Sequence, residues 1–147
     1  MPYQLSMSAA QRDAFLSEVH VAILAIEEPG RGPLALPVWY EHVNGAIEIG
    51  MDGGSRKARL LREAERATVT VQDESPPYRY VSVEGPVEIT RQKRDVLQTA
   101  SRYLGPELGR WYADQNPPTE DTIVVRLIPE HWRAQDFSAG VSAAEER

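Results

Sequence analysis

Leu34-Ala-Leu-Pro-Val-Trp-Tyr-Glu-His42, followed after Val43 by Asn44-Gly45 and Ala46-Ile-Glu-Ile-Gly-Met51, is the stretch that decides the fold. The first segment, rich in Val, Trp and Tyr, reads as a strand. Pro37 marks an edge or a bulge in it, because proline has no N–H to give a ladder. Asn-Gly is a strong two-residue hairpin signal, since both residues accept positive φ. Ala46 to Met51 is then the returning strand. Upstream, Val21-Ala-Ile-Leu-Ala-Ile26 is a continuous apolar run and reads as a buried strand. Pro29-Gly-Arg-Gly-Pro33 is a turn that joins it to Leu34 as a further hairpin. Ser8 to Val19 reads as a short helix, with Ser8 as its cap and Phe15, Leu16 and Val19 as its apolar stripe.

Downstream, Thr68-Val-Thr-Val-Gln72 alternates with period two, and Ser75-Pro-Pro77 makes the next turn. Tyr78 to Ile89 forms a long strand with Val81, Val83, Val87 and Ile89 on one side. Gly85-Pro86 interrupts it, as expected where a sheet curls. Arg91 to Asp114 reads as one or two helices broken at Gly105-Pro106. Thr122 to Ile128 is the last strand, and residues 138–147 read as a flexible tail. Six strands with tight hairpins and helices inserted between them predict a mainly β fold, an antiparallel barrel with peripheral helices. Strict strand–helix alternation is absent, which disfavours a doubly wound parallel sheet.

A chain of 147 residues predicts one domain, residues 1–147, large enough to bury a real core. The net charge of -6 argues against nucleic acid as a partner. With no cysteine there is no disulfide framework, thiol nucleophile or thiolate metal site. The three histidines, His20, His42 and His131, follow no zinc spacing, so no metal is expected. No apolar run approaches the roughly 20 residues of a membrane span, and no signal-peptide pattern opens the chain. A cytoplasmic location is the expectation. Gly-x-Ser-x-Gly and Gly-x-Gly-x-x-Gly motifs are both missing, against serine hydrolase and dinucleotide-fold chemistry.

Against this acidic background Gly53-Gly-Ser-Arg-Lys-Ala-Arg-Leu-Leu-Arg-Glu-Ala-Glu-Arg66 is locally basic. Gly53 and Gly54 punctuate the end of an apolar run, Ser55 is a good N-cap, and a helical pattern follows. Arg56 and Lys57 then fall in the first helical turn, where free N–H groups and the helix dipole already favour an anion. Cations there oppose the dipole unless something negative compensates. A phosphate is the leading candidate, beside the alternative of a solvated, Arg-rich helix.

Taken together these segments resemble the split β-barrel flavin and deazaflavin oxidoreductases, the superfamily of pyridoxamine 5′-phosphate oxidase. The motifs that carry the resemblance are Pro37-Val-Trp-Tyr40, Gly54-Ser-Arg-Lys-Ala58 and Arg79-Tyr-Val-Ser-Val-Glu-Gly-Pro-Val87. Arg102-Tyr-Leu-Gly-Pro-Glu107 and Pro129-Glu-His-Trp-Arg133 through Asp136-Phe137 extend it over nearly the whole chain. The resemblance implies a six-stranded split barrel of the FMN-binding type, assembled as a homodimer with the cofactor at its interface. It implies that Ser55, Arg56 and Lys57 grip the cofactor phosphate. It also implies that Pro37, Val38, Trp39 and Tyr40, with Met51 and Asp52, line the ring, and that Arg79 or Trp132 reaches in from a second subunit.

Two departures from pyridoxamine phosphate oxidases proper stand out. Tyr80 occupies the position where those enzymes carry Gln, and nothing after Trp132 supplies their Arg-x-His substrate-phosphate element. The resemblance therefore points to the small reductases that use reduced deazaflavin coenzyme F420, with FMN as the alternative cofactor. Hydride transfer to a small conjugated or unsaturated substrate is the expected reaction. It needs no triad, because the cofactor supplies the reactive atom. Tyr40, Tyr78 or a water could donate the proton. A non-catalytic carrier of flavin or deazaflavin is a rival reading, and a haem-binding split barrel with a histidine ligand is a weaker one.

Overall fold

The computed structural model describes residues 5–91 and 95–145. Residues 92–94 of the expected helical region and 146–147 of the expected tail lie outside the described residues. The elements are α1 (Ala9–Ser17), β1 (Ala22–Ile26), β2 (Leu34–Val38), β3 (Glu41–Val43), β4 (Ala46–Asp52), α2 (Arg56–Ala64), β5 (Arg66–Asp73) and β6 (Arg79–Thr90). They continue as α3 (Val96–Leu104), α4 (Pro106–Gln115), β7 (Thr122–Leu127), β8 (His131–Asp136) and α5 (Ser138–Glu145). Among the described residues there are eight strands rather than six. The extra two are β3, split from the expected strand Leu34 to His42, and β8. The segment read as a tail carries α5.

Every strand pairing is antiparallel, in the order β2-β1-β5-β6-β7-β4-β3, with β8 beside β6. The two ends of that order, β2 and β3, are consecutive in the chain and separated only by Trp39 and Tyr40. Three peptide steps bound the distance from Val38 to Glu41 at about 11 Å. The sheet must therefore curl until its edges meet, which is the split barrel. The predicted single strand fails here because the Tyr40 backbone is satisfied from outside the sheet. Its N–H donates to the Tyr103 hydroxyl at 3.1 Å, whose one proton is shared between the His20 carbonyl at 2.7 Å and the Tyr40 carbonyl at 3.2 Å.

β6 makes the other corner. Arg79 to Pro86 pairs with β5, while Val87 to Thr90 pairs with β7. The changeover falls at Gly85-Pro86, where the sequence predicts a bend. The chain after β7 presses onto Gly85 so closely that a Cβ there would collide with the Ile128 carbonyl. Asn44 and Gly45 take φ of 49° and 76°, the paired positive values of the predicted hairpin turn.

Alternation fills the interior from each strand. Leu24 and Ile26, Ile47 and Ile49, Val69 and Val71, and Val81 and Val83 are all buried, with Leu127 from β7. Leu61 of α2 and Phe15 and Leu16 of α1 cap the barrel. Tyr40 is also inside, 1% exposed, and its hydroxyl donates to the Leu16 carbonyl at 2.8 Å. Tyr40→Phe leaves that buried carbonyl without its partner. A loss of about 1–2 kcal/mol is expected in urea unfolding, with the slope unchanged.

Candidate functional site

The seam where the barrel edges meet opens into a groove of about 440 Å³ lined by Pro37, Val38, Trp39, Gly50, Lys57 and Tyr112, with Val21 at its rim. Four of the residues singled out in the sequence, Pro37, Val38, Trp39 and Lys57, thus come together from β2, the seam and α2. Trp39 is fixed by stacking on Tyr103, 4.9 Å between centroids and 7° from parallel, and by a tilted contact with Tyr112 at 5.0 Å. Of the neighbours Trp39 and Tyr40, only Trp39 faces this groove, as alternation requires.

Lys57 arrives through the helix start. Asp52 accepts from the Gly54 N–H at 2.9 Å, and Ser55 caps α2 by accepting from the Ala58 N–H at 3.2 Å. The Gly53 N–H donates to the Asp121 carbonyl at 2.6 Å, and Arg62 reaches back to the Gly53 carbonyl at 2.7 Å. Arg62 therefore braces the loop. No acidic residue occupies the first turn of α2. Arg56, about half exposed, is neutralised by an ion pair with Glu28. Lys57 is half-buried and has no ion-pair partner among the described residues. Of the two cations that open α2, Lys57 is thus the one without an acidic partner among the described residues, beside helix-start N–H groups and the positive end of the dipole. That donor set suits a phosphate.

The remaining expected residues lie elsewhere. Met51 is 6% exposed and points into the core, because β4 alternates and turns Gly50 to the groove instead. Asp52 and Ser55 act on the loop backbone. Tyr40 lines a separate polar pocket of about 300 Å³ with Glu41, Glu48, Thr99 and Arg126, which meets the groove at Gly50. Its hydroxyl is committed to Leu16, and burial raises its pKa, so it is a poor proton donor. Tyr78, 54% exposed, does not line the groove. None of the three histidines lines it either. Val21, Gly50 and Tyr112 are the groove residues that sequence reasoning missed. Gly109 is the nearest signal for Tyr112, since it seats α4 closely on Ser101 of α3.

Within one chain, Arg79 is also held away from the groove. It bonds Glu18 at 3.0 and 3.1 Å and Asp73 at 2.7 Å, and lies over the Phe15 ring. The guanidinium holds both carboxyls below their ordinary pKa. Depressed carboxylate pKa values give stability that is present above the unfolded values and lost as pH falls through the folded ones. Arg79→Gln should therefore flatten the acid limb of a stability–pH curve below about pH 4.5. A curve parallel to wild type there would show that this cluster adds nothing. Trp132 lies on β8 beneath the Arg12 guanidinium, also outside the groove.

Residues 9–136 match the family model described as pyridoxamine 5′-phosphate oxidase. The chain belongs to that family. Among solved structures, a conserved hypothetical protein from Mycobacterium tuberculosis is similar with a TM-score of 0.73 at 26% identity, covering 90% of this chain and 86% of that one. A protein described as an F420 reductase gives 0.66 at 22% identity, over 82% of this chain and 94% of that one. An FAD and heme binding protein from Mycobacterium smegmatis gives 0.66 at 22% identity, over 94% and 78% respectively. The latter two establish likeness of fold. No curated protein sequence matches the chain. Within the pyridoxamine 5′-phosphate oxidase family, then, the split barrel expected from the sequence is the fold observed. No helix among the described residues is long and apolar enough to cross a membrane.

Proposed function

We propose that this protein is a cytoplasmic, homodimeric oxidoreductase that binds coenzyme F420 along the seam groove and reduces a small conjugated or unsaturated substrate. The observation that carries the reading is the half-buried, unpaired Lys57 at the start of α2, lining the same groove as Trp39 and Gly50. Family membership supports a flavin-type cofactor, and F420 and FAD are the ones that the descriptions of similar structures name. When bound, the cofactor supplies the hydride. Lys57 and the first-turn N–H groups of α2 hold its phosphate. Trp39, locked between Tyr103 and Tyr112, gives a rigid flat wall for a ring, and Gly50 leaves room beside it. Tyr112 brings a hydroxyl-bearing side chain to this groove, which makes it a better proton-donor candidate than Tyr40. The second subunit closes the open side of the groove against water, the arrangement implied by the resemblance.

The test is binding followed by turnover. Titration with F420 and with FMN should favour F420. The protein should then oxidise reduced F420 in the presence of enones or quinones. Tight binding without turnover on any acceptor would make the protein a carrier, and tighter FMN binding would reassign the cofactor. Pyridoxamine phosphate with oxygen should give no turnover, because the Arg-x-His element is missing and Tyr80 is engaged with Gln135 at 3.4 Å. Peroxide release in that assay would contradict this specificity.

A further inference from the structure

The loop between β1 and β2 sets Glu28 against the first turn of α2, where its carboxylate pairs with Arg56. The loop is closed on itself: the Arg31 N–H donates to the Glu28 carbonyl at 3.0 Å, and Gly30 takes a φ of 78°. Arg56 keeps about half of its side chain in solvent, whereas the Glu28 side chain is only 15% exposed. A carboxylate so far withdrawn from water is costly to leave unpaired. An arriving anion therefore does not easily draw Arg56 away from it.

That pair fixes the charge of the helix start. Asp52 and Arg62 both hold the Gly53-Gly54 loop and are of opposite sign. Arg59 is exposed and lies about 200° around the helix axis from Lys57. With Arg56 cancelled by Glu28, the charge left to the groove is the single one of Lys57. Attraction to a cation rises in proportion to an anion's charge, but the cost of taking the anion out of water rises roughly with its square. A half-buried site with one net positive charge thus matches a monoanion. Two free cations would match a dianion.

We propose that Glu28 selects the cofactor class: by holding Arg56 it leaves one net positive charge at the start of α2, which favours a phosphodiester, the linkage in F420, over the phosphomonoester of FMN. The proposal rests on the start of α2 being the phosphate site. Glu28 acts through Arg56 and is a specificity-determining residue, not a catalytic one.

Three matched ligands test it by titration of the full chain at pH 8: riboflavin, FMN and the methyl phosphodiester of FMN. They share ring and ribityl chain, and at that pH a phosphomonoester, with a second pKa near about 6, carries one more negative charge than the diester. Wild type should bind the methyl diester at least as tightly as FMN, and both more tightly than riboflavin. Glu28→Gln should shift the ratio of the two affinities about tenfold toward FMN. Arg56→Gln, which bares the Glu28 charge, should shift it the opposite way. Glu27→Gln, an equal change of charge on the neighbouring exposed residue, should leave the ratio unchanged. The opposed signs decide the question even if one of the two pair variants fails to fold, because the other alone must move the ratio in its stated direction. An unchanged ratio in the folded pair variants, or an equal shift in Glu27→Gln, would overturn the role of Glu28 while leaving the phosphate site standing. Riboflavin binding as tightly as both phosphate esters would remove the phosphate site itself, and this selection with it.

Discussion

Lys57→Ala is expected to weaken cofactor binding by about ten- to a hundred-fold and to leave the fold intact. A hydrogen bond to a charged group contributes about 1.5–3 kcal/mol, and each 1.4 kcal/mol is tenfold in affinity. The phosphate cannot fall back on Arg56 without breaking that residue's pair with Glu28. Stability should hold or rise slightly, because the variant removes a cation that opposes the helix dipole and adds a better helix former. Arg59→Ala is the control. It lies on the same helix, changes net charge equally and is exposed, about 200° around the axis from Lys57. Equal losses in the two variants would reduce the site to a diffuse basic surface. Measuring both at two ionic strengths separates the cases, since a diffuse field is screened by salt and a buried contact much less.

Gly85→Ala should be strongly destabilising, costing about 3 kcal/mol or more and lowering Tm by about 10 °C. The added Cβ meets backbone: the Ile128 carbonyl first, with Glu130 N 3.2 Å away. A flexible side chain could swing aside, but here the chain entering β8 would have to move. That segment also donates the Ile128 N–H to the Pro86 carbonyl and the Glu130 N–H to the Glu84 carbonyl, both at 2.9 Å, so the corner would lose bonds as well as space. Gly54→Ala, where the nearest atom to a Cβ is Asp52 Oδ1 at 3.6 Å, is the mild comparison. Similar melting curves for the two variants would show that β6 does not need its close corner.

The corners of this fold are legible in the sequence because they rest on local chemistry. Asn44-Gly45, Gly85-Pro86 and the Ser55 cap each announce themselves through φ, a missing N–H or a side-chain acceptor. The seam does not. Nothing near Trp39 says that β2 stops there, since the group that satisfies Tyr40 is Tyr103, 63 positions away. Strand β8 hides for another reason. In His131-Trp-Arg-Ala-Gln-Asp136 the apolar face is only Trp132 and Ala134, too short an alternation to announce a strand from the sequence. At the site, the cation was readable from its helix start, but its selection was not. The Glu28 contact that occupies Arg56 and leaves Lys57 free comes from the loop after β1.

A phosphate held at the start of α2 has a direct test. A thermodynamic cycle on one pair of ligands tests it: F420 and its dephosphorylated deazaflavin chromophore, titrated into wild type and Lys57→Ala. The phosphate-bearing ligand should bind wild type at least about tenfold tighter, and the advantage should largely disappear in the variant. Equal affinities of the two ligands for the wild-type protein, or an advantage that survives in Lys57→Ala, would contradict it.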